Sequence, residues 1–227
     1  MKMAETQKAI IFDSGTIINF AMNGLTGLLS ELKKIFRGKF LITEEVKHEI
    51  IDKPKGINKF KLEAMMIEKL FDDKVIELPY ETVSKSELRN KTDNIFDILN
   101  HSYYAQGEFM KIVDKAEVEV LALSLLLNEK GIKNVAAIDE RTARMLCEMP
   151  ENLEKLFQEK LKTRVEMKQN LSFLNEIKII RSSELMYIAY KKGLVKLKNH
   201  VLEALLYAVK FKGCSISFEE IDKMKRM

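Results

Sequence analysis

Four carboxylates stand where short apolar runs stop or where helices begin. Asp13 follows Ala9–Phe12 and Asp139 follows Val135–Ile138, each at the end of a run that reads as a buried strand. Glu49 lies on the helix after the run Phe40–Ile42, and Glu117 lies in the first turn of the helix opened by Asp114. In an open parallel sheet, sites form outside the carboxyl ends of the strands. Four acids converging there from distant segments repel one another unless a cation sits among them. Hard oxygen donors suit Mg²⁺ or Mn²⁺, which keep several waters and bind phosphate oxygens. Such an ion lowers the pKa of a bound water and steadies charge on a phosphodiester under in-line attack.

Each acid also has a structural use. Asp139 suits the N-cap of the next helix. Glu49 can pair with Lys53 one turn on, whereas Glu45 and Glu49 form a like-charge pair that a nearby cation would relieve. Glu44 and Glu45 suit a helix N-terminus. Glu117 and Glu119 are about 200° apart around a helix, so only one of them can face a site. Asp13 is the hardest to assign structurally, because it ends a wholly apolar strand in a turn with Gly15. His48 reads as a partly exposed helix residue.

The elements that must place these residues alternate. Strands are expected at Ala9–Phe12, Phe40–Ile42, Val75–Leu78, Val135–Ile138 and Ile177–Ile180. Helical spacing runs from Ile17 to Ile35, from Thr43 as a cap to Pro54 and Gly56, from Phe60 to Phe71, and over 83–105 up to Gly107. Asp114 opens a helix that is apolar from Val118 to Leu127 and ends at Gly131; another runs from Asp139 to Met149. Residues 151–176 read as one additional amphipathic helix, and three more fill Leu185–Lys191, Lys198–Lys212 and Phe218–Met227. Strands alternating with helices imply right-handed crossovers and a parallel sheet covered on both faces. The expected fold class is α/β: a core over 1–150, the helix of 151–176, and 177–227 completing the domain with a last strand and a helical C-terminal extension.

Composition bounds the rest. The 227 residues are 46% hydrophobic and 32% charged, which is enough apolar chain for a packed core. The longest near-continuous apolar stretch, Val118–Leu127, carries Glu119 and is too short to span a membrane. The start MKMAETQ meets a charge too early for a signal-peptide core, and Cys147 and Cys214 form neither a disulfide framework nor a zinc pattern. A cytoplasmic protein is expected, with no membrane partner. The net charge of +4 is uneven: residues 151–227 hold 16 Lys or Arg against 10 Asp or Glu, and the first 150 hold 22 against 24. A basic C-terminal third suits either a nucleic-acid partner or a solvated helix surface. The helix around Met65 and Met66 suits either core or a homodimer contact.

With the acids and their elements placed, the chain resembles the PIN-domain nucleases of archaeal and bacterial type. AIIFDSGTIINF resembles that family's first strand, Asp-Ser/Thr step and apolar helix, and FLITEEVKHEI its second strand and V-x-x-E helix. AEVEVLALSLLLNEKG resembles its acid-led apolar helix, VAAIDERTARMLCE its strand with an acidic pair and A-R element, and IIRSSELMYIAYKKGLV its last strand and helix. The matches run in order along nearly the whole chain. Two features depart from the pattern: the added segment 151–176, and a length well beyond the small toxin members. The resemblance implies a PIN-like three-layer domain with four or five parallel strands, and Mg²⁺- or Mn²⁺-dependent cleavage of RNA, single-stranded or structured. Asp13, Glu49, Glu117 and Asp139 would be the catalytic, metal-holding acids. Ser14, Glu119, Glu140, Arg144 and Ser182 would touch those acids or the substrate, Arg144 standing at the pocket rim or in a surface ion pair. The basic helices of 155–212 would hold the RNA backbone, with Tyr187, Tyr190 and Tyr207 available for stacking or packed in the core.

Two other readings compete. AIIFDSGTII also resembles the haloacid dehalogenase phosphatase opening, but Gly15 stands where that family carries its second Asp, the general acid. A PIN-like scaffold that binds RNA or a protein without cutting fits the same residues.

Overall fold

The computed structural model describes residues 8–197 and 200–227. The strand β1 (Lys8–Phe12) buries every residue after Lys8 and lies between β2 (Lys39–Leu41) and β5 (Lys133–Ala137). With β7 (Ile179–Ile180) they form a four-stranded parallel sheet in the order β2-β1-β5-β7. The α/β class and the helix-flanked parallel sheet are therefore as the alternation implies. β7 comes from the C-terminal third, so residues 177–227 complete this sheet rather than stand apart. Gly38 is required where the chain enters β2, because a Cβ there would meet the backbone oxygen of Lys8 at 2.6 Å.

The crossover from β1 to β2 is two helices, where the periodicity alone suggests one. α1 (Ser14–Met22) stops at Asn23, Gly24 takes a left-handed φ of 68°, and α2 (Thr26–Phe36) follows. Leu25 N–H reaches back to the carbonyl of Phe20, which closes the helix end. After β2 comes one helical run in three parts: α3 (Glu44–Lys47), a π turn over His48–Asp52, and α4 (Lys53–Lys55). Pro54 accounts for the wide turn, since its ring would clash with the carbonyl four residues back in a regular helix. α5 (Lys61–Asp72) and α6 (Lys85–Asn100) then lead to α7 (Lys115–Glu129), buried on nearly every side from Val118 to Leu127.

Several expectations are corrected. Val75–Leu78 is not a strand; Glu77 makes a single parallel bridge to Leu41. Helix does not continue to 105, because β3 (Tyr103–Ala105) pairs antiparallel with β4 (Glu108–Phe109) and with β6 (Val165–Met167) in a second, three-stranded sheet. Residues 151–176 are not one helix. After α8 (Arg141–Glu148), α9 (Pro150–Leu161) ends at a left-handed Lys162, and β6 and a 3-10 turn (Ser172–Glu176) follow. Tyr103, fully buried, donates its hydroxyl to the carbonyl of Pro150 at 2.9 Å and joins the small sheet to α9. The last helices are α10 (Ser182–Lys191), α11 (Val201–Phe211) and α12 (Phe218–Arg226). The expected helix start at Lys198 and the opening MKMAETQ lie outside the described residues. Among the described residues, no helix is long and apolar enough to cross a membrane.

Candidate functional site

Asp13 and Asp139 leave neighbouring parallel strands at the same edge. Phe12 is in register with Ala137, and Asp13 N–H donates to the carbonyl of Ala137 at 3.0 Å. Asp13 is buried and caps α1, its Oδ2 accepting from Gly15 N–H at 3.3 Å. Its Oδ1 is buried without any hydrogen-bond partner. Burial is the largest influence on this carboxyl and pushes its pKa up to about 6. The N–H groups of Gly15 and Ser14 oppose that shift, while the charges of Glu49 and Asp139 add to it.

Glu49 is half-buried on the π turn, a feature that often marks functional positions. Glu117 approaches from α7. Its Oε2 accepts Asp114 N–H at 3.0 Å, and its pKa is pushed up to about 7, chiefly by burial and then by the charges of Asp13, Glu140 and Asp114. The fold thus brings Glu49, Glu117 and Asp139 within electrostatic reach of Asp13. Asp139 is engaged differently from the other three. Its Oδ1 accepts Ser182 N–H at 2.7 Å, the first amide of α10, and its Oδ2 accepts from Asn19 Nδ2 at 3.0 Å. As the side chains stand, no three His, Cys, Asp or Glu among the described residues are grouped to hold a metal ion. In kind, the donors do fit a hard divalent ion: all are carboxylates, and Asp13 Oδ1 is a buried oxygen with nothing to accept from.

The remaining candidates fall around these four. Ser14 is the first residue of α1 and is half-buried. Glu119, buried, accepts the N–H of Glu45 at 3.1 Å, while Thr43 Oγ1 accepts that of Val46 at 3.3 Å. Glu119 therefore caps, from α7, the helical run that carries Glu49, and burial raises its pKa. Glu140 caps α8 by accepting Ala143 N–H at 2.7 Å and shares a recess with Glu117. Ser182 is fully buried, with its Oγ 3.3 Å from Asn19 Nδ2. Arg144 Nη1 donates to the carbonyl of Ser215 at 3.0 Å and Nη2 reaches Glu148 at 3.5 Å, so it is an ion-paired residue that also lines a cleft.

That cleft, about 740 Å³, lies between α8, α9 and the turn after α11 and holds Arg141, Arg144, Lys155, Arg181 and Lys210 together with three glutamates. Arg181 is bound by Glu184 and Glu220. Of the tyrosines, Tyr190 is exposed, Tyr187 is packed against the core, and Tyr207 stacks on Phe211 at 6.1 Å between ring centroids. His48 is exposed.

Asn19 escaped the sequence reading. Fully buried between Ile18 and Phe20, its Nδ2 also lies 3.0 Å from the carbonyl of Val209, so it ties α1 to Asp139 and to α11. The available signal was a polar amide on an apolar helix face, where a buried amide must find partners. No protein-family model, no curated protein and no solved structure matches the chain.

Proposed function

We propose that the chain is a divalent-metal-dependent ribonuclease of PIN type, working at the edge where β1 and β5 end. The observation that carries the reading is Asp13 Oδ1, a buried carboxylate oxygen with no partner and three further acids acting on it. Asp13, Glu49 and Glu117 would hold Mg²⁺ or Mn²⁺, with Asp139 the fourth acid. When bound, such an ion supplies an activated water and charge stabilisation at the scissile phosphate. Asp13 is held for this by Gly15 N–H, which fixes one oxygen and leaves the other free. Asp139 lies beside Asp13 while its carboxylate ties α10 and Asn19 against the sheet. Burial lifts the pKa of Glu117 to about 7, so positive charge arriving beside it would draw off its proton. Arg141 and Lys155, exposed on the cleft, would meet the phosphates of an RNA strand leaving the acids.

The test is Asp13→Asn, which keeps the cap and removes one charge. Cleavage of single-stranded RNA is expected to fall by orders of magnitude, and Mn²⁺ affinity by calorimetry to fall with it. Glu108→Gln, on the exposed β4, is the control. Equal cleavage by wild type and Asp13→Asn would end the metal-nuclease reading. A second reading, an RNA-binding scaffold that does not cut, is favoured by Asp139 having both oxygens engaged and by the acids not standing as a ready ion cage. It predicts RNA binding without cleavage at any Mn²⁺ concentration.

A further inference from the structure

Phe211, the last residue of α11, exposes 73% of its surface, more than any other aromatic residue among those described. One face of its ring lies on Tyr207, a turn back, with centroids 6.1 Å apart and planes within 22° of parallel. Tyr207 in turn lies 6.0 Å from Phe218, the first residue of α12. Lys210 Nζ sits 4.3 Å over the Phe218 ring and also lines the cationic cleft. Three rings thus lead from the rim of the cleft out to Phe211. Their availability differs. Phe218 carries an ammonium, and Tyr207 is half-buried between its two neighbours. Phe211 is held on one side only, and no cation of the described residues lies over its ring. Lys212 stands beside it, exposed and with no carboxylate within ion-pair distance among the described residues. The face of α11 that presents the ring is Ala204, Tyr207, Ala208 and Phe211, which brings no acid to it. The acids that open α12 serve its N-terminus, and Glu220 also pairs with Arg181.

We propose that Phe211 is a stacking platform for an unpaired base, and that the strand carrying that base lies with its phosphates on Lys212 and in the cationic cleft. The assignment rests on the ribonuclease reading and narrows its substrate to single strands. Any base stacks on an aromatic side chain, so the platform is indifferent to base identity. Tyr207 beneath the ring holds it in place, which lowers the entropy lost when a base settles on it. A closed duplex offers no such face, because its bases already stack on one another and must be splayed out to reach a side chain. The cations decide the occupant. An apolar surface of a second copy would cover the ring but gain nothing from Lys212, Arg141 and Lys155, whereas a nucleic-acid strand uses ring and charges together.

The chain has no tryptophan, so Phe211→Trp supplies a single indole whose emission reports directly on stacking. The variant is titrated in EDTA with hexa-adenylate, hexauridylate, an RNA duplex closed at both ends, and inorganic polyphosphate, which carries charge without bases. Both single strands are expected to quench most of the emission and to bind within a few-fold of each other. Polyphosphate should bind without quenching, and the closed duplex should leave the emission unchanged. Phe211→Ala should weaken both hexamers by about ten-fold for the loss of one stacked base, and leave the affinity for polyphosphate as it was. Phe211→Tyr, which keeps a ring, should recover most of that loss. Emission unchanged at saturation with either hexamer overturns the proposal. So does an equal loss of hexamer and polyphosphate affinity in Phe211→Ala, or a failure of both hexamers to bind. Emission that shifts with protein concentration alone, without RNA, gives the face to a second copy and overturns it as well. Cleavage that needs Asp13 in a protein whose Phe211→Trp emission ignores single strands removes the platform and leaves the nuclease. Quenching by single strands in a protein whose cleavage ignores Asp13→Asn does the reverse.

Discussion

Asp13 uses one oxygen for structure and leaves the other in reserve, and the two have opposite consequences for stability. Capping α1 favours the folded chain, whereas holding an ionised carboxylate in a buried place among other acids does not. A folded-state pKa of about 6 against 3.8 means that the folded chain binds more protons than the unfolded chain between those values. The resulting stabilisation is complete below pH 3.8 and is lost as pH rises through 6, an effect of order 2–3 kcal/mol. Glu117, raised from 4.5 to about 7, acts in the same direction, reduced by its partial exposure. In EDTA, stability to urea should therefore fall between about pH 4 and pH 7. Asp13→Asn should remove the part of that fall below pH 6, and Mn²⁺ should restore wild type at pH 7. An identical pH profile in the two proteins would mean that Asp13 is not the strained group.

At the scale of elements, two helices that serve the site are capped from outside their own segments. The run 44–55, which carries Glu49, has its second and third amides taken by Glu119 of α7 and by Thr43. α10 has its first amide taken by Asp139. Glu119→Ala should cost about 1–2 kcal/mol, the scale of a lost cap, and should lower cleavage by letting Glu49 shift. Glu119→Gln keeps an acceptor and should recover most of both; equal losses in the two variants would point to charge rather than capping. The neighbours that matter here are distant in sequence, which decides what could be read from it. The strand into Asp13 and the acid-led helix α7 were legible because local periodicity and turn residues specify them. The engagement of Asp139 with Ser182 and Asn19 was not, since those partners lie 43 and 120 residues away. β3 and β6 were hidden because three residues are too few for an alternation to show, and β6 has no strand partner among the described residues but β3, about 60 residues away. The helix does stop at Pro54 and Gly56 as the residues imply, but the π turn that Pro54 brings at Glu49 leaves no mark in the periodicity.

For the whole molecule, the sheet order sets a path. Under the proposed function, a single strand would pass the acids that follow β1 and β5 and reach the cleft lined by α8, α9 and the turn after α11. The uneven charge of the sequence gains a more specific meaning: Lys155 and Lys210 come from the basic third, but Arg141 and Arg144 come from the acidic body. Their availability also differs. Arg144 and Arg181 both donate to the carbonyl of Ser215 and hold glutamates, and Lys210 is bound to the carbonyl of Ile216. Arg141 and Lys155 have no carboxylate within ion-pair distance among the described residues and are the cations best able to meet phosphates. Single-stranded RNA releases about 0.7 counterion for each phosphate neutralised, so two such contacts set a slope of about −1.4 in log affinity against log salt. Reversing both, as Arg141→Glu with Lys155→Glu, should flatten the measured slope by about that amount and weaken binding most at low salt. Both side chains are exposed and bear no structural hydrogen bonds, so the unfolding midpoint should stay where it is. A slope unchanged by the double reversal would move the RNA backbone off this cleft, and with it the direction in which the strand leaves Asp13.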